Sequence, residues 1–511
     1  MDIQNPTPSH GMATPSTSAR HVAAHLLTVA IVAFATVLPA YWFDWAQELR
    51  PTRALGMVGV QLEKSNQPVN TAEPLTSKDQ AIIDTPNTPN TPNTDNALVT
   101  VLRPSHDAST EKPGTGLEVA KTKHEDASAA LEPNLALMPK SAGVEIEGRE
   151  NLDSFFKALR KSSVQPVRIM HYGDSTLAGD GIAKTVRGRM KSMFGDAGPG
   201  FFVAGMDPRW MRRDDVRIVR EGVWDIHTIL FGGNQGRYGL GGVVAKAKGG
   251  GNILVTGPKV GAKLGQRTEI YTNKSSLIDA VRLSVNGAQV PSLEKISHPQ
   301  FDQWVLAAGV DVESLKISIV EPGLEVYGAV IEGVQGITWE TTAVVGVASG
   351  SVRQFNPSHL AEQTAARRPE LIVIMLGGNE TGHPGLFSPD GAAYKNGFSS
   401  AVRTLKQGAP QAACLIMSPL DQGVLADNGQ IYSRKTMPQM VKFQREVSQE
   451  LGCAFWDSWQ FMGGSNSFSR WLQQGLAWTD LVHLTDKGLT KIGNGFGDAL
   501  MSAYRQSQEG R

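Results

Sequence analysis

The run Val167-Arg168-Ile169-Met170-His171-Tyr172-Gly173-Asp174-Ser175-Thr176-Leu177-Ala178-Gly179-Asp180 constrains this chain more than any other stretch. It begins as a short apolar segment and breaks at Gly173. From Ile182 it gives way to apolar residues at helical spacing, Ile182, Val186, Met190 and Met193. This pattern predicts a strand, a tight turn and a helix in succession. Ser175 then falls at the C-terminal end of a strand, the edge of an open parallel sheet where ligands bind. A helix N-terminus beside it supplies free N–H groups and a partial positive charge. A serine so placed can attack a carbonyl carbon and help to hold the resulting oxyanion. A lone Gly-Asp-Ser also reads as a simple helix cap, so the triplet needs partners elsewhere in the chain.

The far end supplies them. In Thr479-Asp480-Leu481-Val482-His483-Leu484-Thr485-Asp486-Lys487-Gly488, just before a last amphipathic helix, Asp480 and His483 are three apart on an expected loop. The carboxylate can reach one imidazole nitrogen while the other is left for a serine, which is the arrangement a nucleophile's base requires. By itself Asp-x-x-His could be a surface loop or half a metal site; with Ser175 it points to a serine hydrolase. Leu371-Ile372-Val373-Ile374-Met375-Leu376 reads as a buried strand ending in Gly377-Gly378-Asn379-Glu380, which puts the Asn379 amide at the same edge. Val326 to Ile331 reads as another strand, leading into Gly333-Val334-Gln335-Gly336-Ile337-Thr338 and a backbone N–H at Gly336. The N–H groups of Ser175 and Gly336 with the Asn379 side chain are the expected oxyanion hole.

With these four blocks the chain resembles the SGNH (GDSL-type) serine esterases, and within them the bacterial peptidoglycan O-acetylesterases. Further matching segments are Phe455-Trp456-Asp457-Ser458-Trp459-Gln460-Phe461-Met462-Gly463-Gly464, Trp471 to Gly475, Gly195 to Phe201 and Leu240-Gly241-Gly242. The resemblance covers roughly the last 350 residues. Three positions depart from the family pattern: Gln335-Gly336-Ile337 stands for Asn-Gly-Ala, Gly378 for Thr, and Leu481 for Gly. The resemblance implies an α/β fold, a three-layer SGNH hydrolase with a parallel sheet and helices on both faces, carrying an inserted β-sandwich like a carbohydrate-binding module. It also implies catalysis by Ser175, Asp480 and His483 on an acetylated cell-wall polysaccharide, peptidoglycan foremost. Two other functions stay open: an O-acetyltransferase using the same acyl-serine, and a catalytically inactive wall-binding protein.

The chain has 511 residues, room for two or three domains, and its 54 Gly and 28 Pro imply many turns. Forty-nine basic residues balance 49 acidic ones, which gives no argument for a nucleic-acid partner. No cofactor is expected, and no His, Cys and carboxylate spacing suggests a metal. The two cysteines, Cys414 and Cys453, each fall on an expected core strand and read as small buried hydrophobes rather than a disulfide.

Residues 21–43 carry no formal charge and are long enough to span the ~30 Å hydrocarbon core of a bilayer. A signal peptide cleaved after Ala33-Phe34-Ala35 is the rival, but that triplet lies inside the apolar run, which favours a retained anchor. Residues 1–20 are then a cytoplasmic tail, and 44–143, with a threefold Thr-Pro-Asn repeat at 85–93, a disordered tether of roughly 50–60 Å reach. The family resemblance places the large domain in the periplasm of a bacterium, held to the inner membrane by a single span.

Ser175 and Gly336 lie 161 positions apart, whereas a strand–helix–strand crossover needs only ~30 residues. An insert is therefore expected, at 200–322, dividing the hydrolase into 144–199 and 323–511. Its short β-type runs and the Asn286-Gly287 hairpin signal point to an all-β unit. Trp210, Trp224 and Trp304 could stack on sugar rings, but buried core positions are the commoner role for tryptophan. After Gly336, helices near 357–367, 392–407, 437–451 and 485–504 alternate with strands at 371–376, 413–417 and 454–456, which implies a parallel sheet.

Overall fold

The computed structural model describes residues 134–204, 211–307 and 309–509. The expected tail, anchor and most of the tether lie outside the described residues, as does Trp210. Among the described residues no helix is long and apolar enough to cross a membrane.

Five parallel strands form the central sheet: β1 (Pro166–Gly173), β2 (Gly336–Ala343), β3 (Leu371–Met375), β4 (Ala413–Met417) and β5 (Ala454–Trp456), in the order β2-β1-β3-β4-β5. β3 and β4 are short, wholly buried apolar runs, as a sheet covered on both faces demands. The helices Gly181–Phe194 and Asp486–Glu509 bring Ile182, Val186, Ile492 and Phe496 onto one face, against Ile169, Val373 and Leu415. Pro357–Arg367, Ala392–Lys406 and Met437–Glu450 bring Leu360, Phe398 and Val441 onto the other, against Met170, Ile372 and Ile416. The result is the α/β three-layer arrangement.

β2 differs from what an apolar-run reading finds. It carries Thr338, Glu340, Thr341 and Thr342, yet every residue in it is buried. Its polar groups are satisfied internally: Thr342 Oγ1 donates to His171 O at 3.1 Å, Thr341 Oγ1 to Asp180 at 3.2 Å, and Glu340 is ion-paired with the buried Arg367. The apolar segment Glu325–Glu332, which a boundary at 322 would give to the hydrolase sheet, pairs instead with Arg267–Thr272 and Gly200–Phe202. It belongs to a ten-stranded sheet whose described pairings are all antiparallel, built between residues 200 and 332 around a core of Ile253, Ile270, Leu283, Trp304 and Ile317. Asn286 (φ 50°) and Gly287 (φ 83°) make its hairpin turn with both central residues left-handed, as a type I′ turn needs. Trp304 is fully buried and donates through Nε1 to Thr272 Oγ1 at 2.9 Å, so it is a core residue and not a sugar platform. A buried charge network, Arg168 to Glu332 (2.7 Å) to Arg367 (2.7 Å) to Glu340, joins the last strand of the insert to β1, β2 and the helix Pro357–Arg367.

Two further expectations need correction. Residues 134–143 are part of the fold rather than tether, since Arg505 Nη1 donates to the carbonyls of Leu135 (3.3 Å) and Met138 (3.1 Å). Cys414 and Cys453 form a disulfide. The parallel register pairs Leu415 with Ala454, so the two preceding residues are brought side by side, a proximity no linear spacing reveals. The bond spans 39 positions, a closure worth about 4 kcal/mol in the chain-entropy account. Urea unfolding with and without reductant should show the reduced protein less stable by about that amount, with the native far-ultraviolet dichroism retained before the transition.

Candidate active site

β1 pairs Gly173 with Ala343 on one side and with Met375 on the other, so β1, β2 and β3 end level. The segments that follow them meet at this rim. Asp174 caps the short helix Ser175–Ala178, accepting from Thr176 N–H at 3.0 Å, and this sharp turn leaves Ser175 half-buried at the sheet edge. Ser175 Oγ is 3.0 Å from His483 Nε2, and His483 Nδ1 is 2.7 Å from Asp480 Oδ2. The loop carrying Asp480 and His483 is held by its own carboxylate: Asp480 Oδ1 accepts from the backbone N–H of Val482 and of His483, both at 2.9 Å. Gly423 N–H donates to Leu481 O at 2.8 Å and Trp478 N–H to His483 O at 2.8 Å, fixing the loop from both sides.

Leu481 stands at φ 63°, a left-handed conformation that costs roughly 1–2 kcal/mol in a non-glycine residue. Its half-buried side chain packs against the core that contains Phe468, which offsets that strain. At Gly378 an added Cβ would lie 2.8 Å from Asp174 Oδ2, so glycine leaves the room that the buried carboxyl occupies.

The electrostatics suit a general base. The hydrogen bond to Asp480, reinforced by the charges of Asp480 and Asp174, raises the His483 pKa above 6.5 against the opposing effect of partial burial. Partial burial pushes the Asp480 carboxyl up, but hydrogen bonds from His483 and Val482 outweigh it and hold the group below its ordinary range. Burial raises Asp174 to about 6. His171, on the same strand as the nucleophile's turn, is fully buried and pushed down to about 3 by that burial, so it stays neutral in the core.

Asn379 reaches the rim and ties two loops together, its Nδ2 donating to Val347 O at 3.0 Å. The second amide hydrogen remains for an oxyanion. Gly336 does not reach it. It pairs with Pro166 at the start of β1, so seven residues of strand, about 23 Å, separate it from the end of β2. Its N–H donates to Ser162 O at 2.6 Å, and a Cβ there would lie 2.7 Å from the backbone of Asp196 and Ala197. Gly336 is therefore a close-packing glycine at the opposite end of the sheet. The residue that the sequence reading missed is Gly346, at φ 86° in the loop just past β2. It lies between Val344, whose N–H donates to Gly173 O at 3.3 Å, and Val347, the partner of Asn379. Among the described residues the N–H groups of Ser175 and Gly346 donate to no other group, which leaves them for an oxyanion. The available signal was a glycine at the C-terminal end of an eight-residue strand rather than at its start.

Residues 321–490 match the model of the GDSL-like lipase/acylhydrolase family. The chain carries a GDSL-like lipase/acylhydrolase domain. Its class is carboxylic ester hydrolase, and the Ser175, His483, Asp480 geometry is what that chemistry requires. The fold is similar to a solved structure of a peptidoglycan O-acetylesterase, with 24% identity over 73% of this chain and 98% of that one and a TM-score of 0.57. Two acetyl xylan esterases align more loosely. One matches with 14% identity over 31% of this chain and 79% of its own, at a TM-score of 0.24. The other, from Butyrivibrio proteoclasticus, matches with 11% identity over 59% and 96%, at a TM-score of 0.20. Comparison with curated proteins gives no match.

His483 must be neutral to accept a proton, and its pKa lies above 6.5. Activity should therefore be low at acid pH and rise through a kcat/KM midpoint above 6.5. Asp480→Asn should move that midpoint down and lower kcat by on the order of 10³–10⁴. Asn379→Ala should lower kcat by about 10²–10³ with KM little changed, measured on a small acetyl ester. Gly336→Ala should instead lower the unfolding temperature and leave the kcat of the folded fraction near the parent value.

Proposed function

We propose that this enzyme removes O-acetyl groups from a cell-wall polysaccharide, with peptidoglycan as the polymer, through an acetyl-serine intermediate. The observation that carries the reading is the Ser175 hydroxyl 3.0 Å from an imidazole whose other nitrogen is held 2.7 Å from Asp480. With Nδ1–H donated to Asp480, Nε2 is the free base and accepts the Ser175 proton. The Ser175 oxygen adds to the acetyl carbonyl carbon, and the carbonyl oxygen takes the negative charge between the N–H groups of Ser175 and Gly346 and the amide of Asn379. Collapse breaks the carbon–oxygen bond to the sugar, whose oxygen takes the proton from His483. Water, deprotonated by His483, then adds to the acetyl-serine, and acetate leaves as the proton returns to Ser175.

An acetyl group as the acyl part is supported by the fold similarity to an O-acetylesterase. A polymeric alcohol is supported by the openness of the site, with the His483 and Asp480 side chains 44% and 47% exposed. Peptidoglycan is favoured by the fold similarity to an enzyme of that name. The apolar segment 21–43 supports a single-span anchor in a bacterial inner membrane, with the enzyme in the periplasm. The Cys414–Cys453 disulfide supports an oxidising compartment.

The test is acetate release by the full chain from O-acetylated peptidoglycan and, separately, from acetylated xylan. Acetate is expected from the first, and Ser175→Ala should abolish it without a change in the dichroism spectrum. Acetyl groups moving onto a glycan acceptor without free acetate would make the protein a transferase. Glycan binding with no turnover of any acetyl ester would make it a wall-binding protein.

A further inference from the structure

A cleft of ≈ 450 Å³ opens beside the catalytic turn, within the ordinary size of a ligand site. One wall is Gly179 to Gly181, beginning four residues after Ser175, or about 6 Å of helical rise. Another is Asp486 and Thr490, in the first turns of the helix that follows His483. The third is the segment that enters the β insert, from Met211 to Ile218, which is clamped to the catalytic turn where Arg212 N–H donates to Ala178 O at 2.9 Å. Neither the triad nor the oxyanion donors belong to this cleft, although both of its first two walls are continuous in the chain with triad residues.

The charges around it are unevenly matched. The buried Arg187 is paired with Asp180 at 2.5 Å and with Asp214 at 2.6 Å, and Arg213 with Asp215 at 2.7 Å. Lys184 is 3.7 Å from Asp214. These pairs fix the wall and account for the carboxylates of Asp180, Asp214 and Asp215. Arg212 and Arg217 are left, both exposed and, among the described residues, without a carboxylate partner. The remaining carboxylate in the lining is Asp486. Val203, Met211 and Val216 also line the cleft but are almost wholly buried. Two guanidinium groups with five donors each suit a planar carboxylate carried on a sugar or on a short substituent of one.

We infer that this cleft is a substrate subsite for a carboxylate of the glycan, so that the enzyme selects acidic acetylated chains over neutral ones. The inference rests on the esterase reading above. Arg212 and Arg217 position the polymer so that an acetyl ester nearby meets Ser175; they take no part in the chemistry. Because both are exposed, the selectivity weakens as salt screens them, with a Debye length of about 8 Å at physiological ionic strength.

The experiment uses the full chain and one O-acetylated peptidoglycan preparation in two forms, native and with its carboxylates amidated, plus 4-nitrophenyl acetate as a neutral small ester. The parent enzyme is expected to lose roughly tenfold in kcat/KM on amidation, the order of one or two charge-assisted hydrogen bonds. The Arg212→Gln/Arg217→Gln double variant is expected to lose roughly tenfold on the native polymer only, chiefly through KM, with the amidated polymer and the small ester unchanged. That small-ester rate also reports that the variant is folded. Equal rates on native and amidated polymer, or a double variant that loses equally on all three substrates, would overturn the inference while leaving the esterase reading in place. If the parent hydrolyses no ester, the esterase reading fails, and binding decides the subsite. Ser175→Ala protein should then hold the native polymer more tightly than the amidated one, and the preference should vanish when Arg212→Gln and Arg217→Gln are added. No preference would overturn the subsite as well.

Discussion

The catalytic arrangement depends on one feature of hydrogen-bond register: β1, β2 and β3 are parallel and end level, Gly173 beside both Ala343 and Met375. Everything that follows these residues is delivered to a single rim. The chain turns there into Ser175, into the Gly346 loop and into Asn379, three segments otherwise distant in sequence. A slip of one register position would reverse the side-chain facing of the strand and move its exit by about 3.3 Å. That exceeds the tolerance of a 3.0 Å serine–histidine contact. The register is secured by burial of the strands on both faces and by the ion pairs of Arg168, Glu332, Arg367 and Glu340 at the far end of the sheet.

At the rim, rigidity comes from side chains that serve the backbone and the chemistry together. Asp480 shapes its own turn through two backbone N–H groups while its other oxygen orients His483. Asn379 holds the Val347 carbonyl and keeps a hydrogen for the oxyanion, and the neighbouring Glu380 accepts from Ser349 N–H to tie the same two loops again. Such preorganised donors need little rearrangement when charge develops, which is the source of their catalytic worth. Asp174 adds a second carboxylate near the imidazole, and its burial lets it ionise only near pH 6.

Much of this was legible in the residues. Gly173-Asp174-Ser175 announced a strand-to-helix turn because an apolar run met a helical period across a glycine, and Asp480 and His483 were close enough in sequence for one loop to hold both. The strands 413–417 and 454–456 and the helix 357–367 were readable from apolar runs and spacing. β2 was not. Its threonines and Glu340 hide a buried strand whose polar groups find partners only in the folded protein, whereas the apolar Glu325–Glu332 looked like the catalytic strand and pairs with the insert. That exchange is why the sequence reading took Gly336, at the start of β2, for the glycine at the rim, where Gly346 lies in the loop past its end.

The sequence by itself singled out Ser175, His483 and Asp480, because each is marked by local chemistry: a turn glycine, a helix start, a three-residue spacing. Tertiary structure alone decided that Gly346 rather than Gly336 lies at the strand ends, that Cys414 and Cys453 are bonded, and that Arg212 and Arg217 border a cleft beside the Ser175 turn. These are relations between strands and loops far apart in the chain. They are set by which backbone edges pair and in what register, and that choice is made by burial of the whole sheet rather than by any short run of residues.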